Sequence, residues 1–152
     1  MGLRLVLADS ESGDARESPR AFESPRAWAP ESQRVLLVEP DTRLRASLHN
    51  TIRRLTEIDS DGDFRSARKR LLSKPYGWLI TNSRLAAYNG LHLVLLAKNS
   101  PTMVRSIVYA ARPDPGLARE AQNAGAWWES LDDLSRTLPA LLRSQVPPDR
   151  QA

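Results

Sequence analysis

Four places in this 152-residue chain set polar or small residues directly after apolar runs, and chemistry could sit there. Glu39-Pro40-Asp41 follows Val35–Val38. Asn82 follows Trp78–Thr81. Ala110-Ala111 closes the run that begins at Ser106, and Asp132 comes shortly after Trp128. No Asp or Glu occurs between Phe64 and Pro113, and no Lys follows Lys98. The absence of cysteine removes thiolate zinc sites, a Cys nucleophile and a disulfide scaffold. His49 and His92 fall on predicted helices away from acids, so a metal pair is not expected. No Gly-x-Gly-x-x-Gly follows the first strand, which leaves dinucleotide binding unsupported. No Ser/His/Asp grouping is suggested by position.

The elements that must position these residues read clearly. Val35-Leu-Leu-Val38 is a continuous apolar run, the pattern of a strand buried on both faces. Leu44, Leu48, Thr51, Ile52 and Leu55 then recur at helical spacing after a cap at Asp41 or Thr42. Glu57–Asp61 is a short polar strand at an edge. The spacing predicts a second helix over Phe64–Ser73, stopped by Pro75 and Gly77. Trp78–Thr81 is the third strand, Asn82–Ala87 a loop, and Asn89-Gly90 opens a third helix that Asn99-Ser-Pro101 closes. Ser106–Ala110 is the fourth strand and Leu117–Ala124 a helix ended by Gly125. Ala126–Trp128 is the fifth strand, and the last helix lies within Leu131–Arg143. Five strands alternating with helices mean an α/β, flavodoxin-like (βα)5 doubly wound parallel sheet, with any site at the carboxyl ends of the strands.

Residues 1–33 read as an extension without stable structure, residues 34–144 as the domain, and residues 145–152 as a tail. The extension holds two copies of a six-residue repeat, ending in Phe22 and Trp28, that are candidate docking anchors. Leu3–Leu7 alternates like a strand. No apolar run reaches the ~20 residues of a membrane span, and the N-terminus lacks a signal-peptide pattern, so a cytoplasmic protein with no membrane partner is expected. The net charge of +4 rests on 19 Arg and three Lys. Arg43, Arg45, Arg53, Arg54, Arg65, Arg68, Lys69 and Arg70 on the first two helices would form a nucleic-acid face if they converged. Solvated helix faces are the expected reading.

From Arg34 to about Arg143 the succession of residues resembles the receiver domain of bacterial two-component response regulators. Val35-Leu-Leu-Val-Glu-Pro-Asp41 is similar to the first strand with its acidic corner. Asn82-Ser-Arg-Leu-Ala-Ala-Tyr-Asn-Gly90 resembles the family's Asp-x-x-x-Pro-x-x-x-Gly segment, and Leu117–Ala126 the fourth helix with its Gly-Ala entry to strand five. The resemblance implies a site of two acids, a phosphoacceptor Asp, a Ser or Thr and a Lys, holding Mg²⁺. Position by position the site is degenerate. Glu39 matches the first acid, Pro40 replaces the second, Asn82 stands at the phosphoacceptor, Ala110 at the hydroxyl and Asp132 near the Lys.

The resemblance therefore implies a non-enzymatic pseudo-receiver in phosphorelay signalling. Its Mg²⁺ site is expected to be lost, and it would act through protein–protein contacts that do not depend on phosphorylation. The family commonly dimerises or docks through the fourth helix, fifth strand and fifth helix. Tyr109, Trp127, Trp128 and Leu131 are the candidate surface there, a homodimer being one use. Two alternatives stay open: a phosphorylatable receiver with a re-shaped site in which Asp41 supplies the missing acid, and an Arg-rich nucleic-acid-binding module.

Overall fold

The computed structural model describes residues 33–143. The expected extension, apart from Gln33, and the C-terminal tail lie outside the described residues, as do the Leu3–Leu7 strand and the repeat with Phe22 and Trp28.

Five parallel strands form the central sheet. They are β1 (Val35–Val38), β2 (Ile58–Asp61), β3 (Trp78–Asn82), β6 (Arg105–Ala110) and β7 (Trp127–Ser130), in the order β2-β1-β3-β6-β7. The helices are α1 (Thr42–Arg53), α2 (Phe64–Ser73), α3 (Leu91–Lys98), α4 (Pro115–Asn123) and α5 (Leu131–Arg143). The doubly wound sheet expected from the alternation is present. Its β1, β3 and β6 are apolar on both sides because both are covered. Leu48 and Ile52 of α1 and Leu134 and Leu138 of α5 close over Val35, Leu37, Trp78, Ile80, Ile107 and Tyr109. Ala67 of α2, Leu93, Val94 and Ala97 of α3 and Ala121 of α4 close over Leu36, Val38, Leu79 and Val108. Each fully buried Leu or Ile contributes about 1.5–3 kcal/mol by leaving water.

Sheet edges and helix starts follow local chemistry. The edge strand β2 is polar, and its Asp59 accepts from the Tyr76 hydroxyl at 2.6 Å and from Lys74 Nζ at 3.0 Å. Burial alone would raise the Asp59 pKa, but these bonds and the nearby cations hold it below the usual value. Asp41, Asp63 and Asp114 cap α1, α2 and α4. Pro115 at the first turn of α4 starts that helix two residues before Leu117, since its fixed φ suits a helix start and its missing N–H is not needed there. The fifth strand also departs from expectation, running to Ser130 rather than ending at Trp128. Ser130 Oγ accepts from the Asp133 N–H at 3.2 Å, so strand passes into helix through a capping serine with no loop between. Leu55 lies past the end of α1 and is exposed.

The segment after β3 is not a plain loop. It holds a two-stranded hairpin, β4 (Arg84–Leu85) and β5 (Tyr88–Asn89). Ala86 at its tip has φ 58°, a left-handed conformation that no proline can adopt. Gly90 follows. A Cβ there would lie 2.5 Å from the Asn82 carbonyl oxygen and 2.9 Å from Thr81 Cγ2. This close approach seats α3 against the end of β3. Gly90→Ala is expected to cost about 1–3 kcal/mol through overpacking, read as a lower urea midpoint with unchanged slope. An unchanged midpoint would mean that the contact is easily relieved.

Candidate functional site

Strand register builds the site. Val38 pairs with Thr81 and Asn82 with Tyr109, and Tyr109 pairs with Glu129. Glu39, one residue past Val38, therefore continues a row of Glu39, Asn82, Tyr109 and Glu129 across the carboxyl end of the sheet. Alternation along each strand turns these side chains to the face covered by α1 and α5.

Glu39 is the centre of the row. It is only 2 % exposed. Its Oε1 accepts from Asn82 Nδ2 at 2.8 Å and from the Tyr109 hydroxyl at 2.6 Å, and its Oε2 accepts from the Asp41 N–H at 2.8 Å. Three donors and no acceptor face it, the pattern that suits a carboxylate in its acceptor-only form. Its backbone is held too. The Glu39 N–H donates to the Asp61 carbonyl at 3.0 Å, and Arg45 Nη1 donates to the Glu39 carbonyl at 2.8 Å. Asn82 Oδ1 accepts from the Arg84 N–H at 2.9 Å, so one amide orientation alone satisfies both ends. Burial first, and then the Glu39 charge and hydrogen bond, push the Tyr109 phenol far above its usual pKa.

These contacts test the donor set for Mg²⁺, and it does not fit. Glu39 has both oxygens engaged by protein donors. Asn82 turns its amide hydrogens, not its oxygen, toward Glu39. Pro40 is exposed and offers no side-chain ligand. Asp41 Oδ1 accepts from the Leu44 N–H at 2.9 Å as the α1 cap, so it is committed to the helix. Among the described residues no three of His, Cys, Asp and Glu group as a metal site would require.

Several expected positions move. Tyr109 shares the row with Asn82 and brings a hydroxyl to Glu39, and Ala110, the next residue, closes the strand. Tyr109 is also fully buried and so is not part of an interaction surface; its ring fills the core under α5. Asp132 lies exposed in the first turn of α5, because β7 is longer than expected; Glu129 and Ser130 occupy the end of the strand. Burial, with the Asp133 charge adding to it, raises the Glu129 carboxyl pKa. Trp127 and Trp128 are half-buried on opposite faces, Trp127 with the core under α1 and α5 and Trp128 with the other, and Leu131 is half-buried as well. The basic residues of α1 and α2 do not converge, since the two helices cover opposite faces of the sheet. Sequence reasoning missed the role of Tyr109, whose signal was a lone tyrosine near the end of an otherwise small or aliphatic strand.

A shallow depression of about 330 Å³ lies beside the row, lined by residues that include Asn82, Ser83, Arg84, Ala110 and Arg112. No helix of the described residues is long and apolar enough to cross a membrane.

No protein-family model matches the chain, and neither does any curated protein sequence. Solved structures do. The chemotaxis response regulator CheY4 of Vibrio cholerae superposes with a TM-score of 0.64 at 17 % identity, covering 76 % of this chain and 99 % of that one. A CheY-like receiver domain protein from Methanospirillum hungatei gives 0.65 at 17 % identity, over 80 % and 99 %. The signal receiver domain of a LuxO-type repressor protein from Vibrio parahaemolyticus gives 0.64 at 22 % identity, over 77 % and 92 %. At these identities the likeness establishes the fold: this chain has the receiver fold.

Tyr109→Phe removes one of the two donors to Glu39 Oε1. It is expected to cost about 1.5–3 kcal/mol near neutral pH, the range for a hydrogen bond to a charged group. A phenol raised on folding contributes stability that is complete below the unfolded pKa of about 10 and declines as pH rises above it. Above about pH 10 the wild-type stability should therefore fall more steeply than that of Tyr109→Phe, by about 1.4 kcal/mol per pH unit. Urea midpoints at a series of alkaline pH values check this, and parallel slopes would remove Tyr109 from the linkage.

Proposed function

We propose that this chain is a pseudo-receiver. It is a non-enzymatic regulatory module of two-component type, working in the cytoplasm of a bacterium through protein–protein contacts that need neither Mg²⁺ nor phosphorylation. The observation that carries this reading is the closed arrangement about Glu39, in which Asn82 supplies a neutral donor where a phosphoacceptor carboxylate would stand. An amide is not a useful nucleophile for phosphoryl transfer. The receiver fold of the neighbours supports the signalling role. The partner surface assigned here is α4–β7–α5, where Trp127, Trp128 and Leu131 supply aromatic and aliphatic anchors of the kind that dominate interfaces, and a homodimer through it is one use.

Acetyl phosphate with Mg²⁺ should leave the intact mass unchanged, and beryllofluoride with Mg²⁺ should leave the amide NMR spectrum unchanged. Addition of one phosphoryl group, or a saturable spectral shift, would overturn the reading and favour a re-shaped, phosphorylatable site.

The converse change is equally informative. Asn82→Asp sets a second carboxylate against Glu39 and removes a donor, which should cost about 1–3 kcal/mol. Millimolar Mg²⁺ should recover part of that loss in the variant and leave the wild-type melting temperature where it was. An equal Mg²⁺ response in both proteins would show that the wild-type site holds the cation.

A further inference from the structure

One face of the molecule is absorbed neither by the site nor by the α4–β7–α5 surface. Along α2, Arg65, Arg68 and Lys69 are exposed; Arg65 lies near the capping Asp63 and, after the Ser66 N–H, helps to hold its carboxyl below the usual pKa, and none of the three forms a close ion pair among the described residues. Their neighbour Arg70 is held by Asp61 at 2.8 Å. The three cations border a groove of about 640 Å³ whose apolar walls are Phe64, Leu72 and Tyr88. Phe64 stacks on Tyr88 with ring centroids 4.2 Å apart and planes 13° from parallel. Leu72 is 62 % exposed, more than any other large hydrophobic residue described, and Tyr88 is 38 % exposed. An apolar patch rimmed by charge marks an interaction site, and the excess of exposed cations over acids on its rim sets the charge of what binds.

The complementary ligand has aliphatic anchors next to several carboxylates. Residues 3–14 of this chain have that order: Leu3, Leu5, Val6 and Leu7, then Asp9, Glu11 and Asp14, with no Lys or Arg from residue 5 to residue 15. We propose that this segment docks on the α2 face, with Leu5–Leu7 against Leu72 and Tyr88 and the three carboxylates beside Arg65, Arg68 and Lys69. The tether is long enough. The chain between Asp14 and Gln33 spans up to about 60 Å when extended, at ~3.3 Å per residue. A domain of this size has a radius of gyration of only about 13 Å. The same tether gives the segment an effective concentration in the millimolar range, which an acidic segment from another protein must exceed to displace it. The α2 face is thus covered by its own chain until a stronger competitor arrives. Because the surface is separate from the Glu39 row, this inference stands or falls apart from the pseudo-receiver reading.

The chain has no cysteine, so Ser12→Cys provides a single attachment point for a nitroxide on the full-length protein. The amide signals of residues 64–73, Tyr88 and His92 should broaden, and those of α4 and α5 should not. The broadening should disappear when salt is raised from about 0.1 M to about 1 M, as the Debye length falls from ~10 Å to ~3 Å. It should disappear as well in the Arg65→Glu/Arg68→Glu variant and in Leu72→Asp, whose exposed position leaves the core intact. No broadening, broadening centred on another face, or broadening that survives these variants would overturn the proposal. So would broadening seen only when spin-labelled and isotope-labelled chains are mixed, because the occupant would then be a second copy.

Discussion

A carboxylate buried as deeply as that of Glu39 costs several kcal/mol unless its lone pairs are met where it sits. Much of the carboxyl end of the sheet follows from that constraint. Asn82 presents its amide hydrogens, Tyr109 its hydroxyl and Asp41 its backbone N–H, and these come from β3, β6 and the corner that opens α1. The same corner is fixed from outside by Arg45, which reaches back from α1 to the Glu39 carbonyl. A single side chain thereby ties three strands and a helix start together. All three donors to the carboxylate are neutral, so the attraction is local and saturates without a cation. An aspartate at position 82 would reverse the balance, since two carboxylates at hydrogen-bond distance need a proton or a metal between them.

The hairpin after β3 shows how the neighbouring backbone adapts. Ala86 at φ 58° pays a strain of about 1–2 kcal/mol for a left-handed residue with a side chain. What offsets it is tertiary: Leu85 is 2 % exposed and Tyr88 stacks on Phe64 of α2. The turn thus exists because its flanking residues find partners on the helical layer. The path from Asn82 to Gly90 is also held by the Ser83 N–H on the Tyr109 carbonyl at 2.8 Å and the Gly90 N–H on the Ser83 carbonyl at 2.9 Å.

Most of the fold was legible because the strands buried on both faces are continuous apolar runs, broken by Pro, Gly and Asp that cannot continue them. The strand ends other than that of β7 were legible, but the hydrogen bonds that join them were not. Apolar periodicity locates β6 through its observed end at Ala110, but it does not show that the Tyr109 hydroxyl reaches Glu39 across β3. The length of β7 was hidden, since Glu129 and Ser130 look like loop until the Ser130 cap is seen. The hairpin had no local signal, because Ala86-Ala87 is not a favoured turn pair. Its cause lies in α2, outside any local window of sequence.

The division between core and polar row explains how such a fold keeps its shape while its site changes character. The two apolar clusters lie on either side of β1, β3 and β6, below the carboxyl ends, and neither contains Glu39 or Asn82. Tyr109 alone belongs to both regions, with its ring in the core and its hydroxyl in the row. Substitution in the row is therefore constrained by hydrogen-bond balance rather than by packing volume. A carboxylate there can be exchanged for an amide at little cost if a neighbouring acid accepts the new donor, and Glu39 does so. The Asn82 amide meets Glu39 in this way without drawing on either apolar cluster.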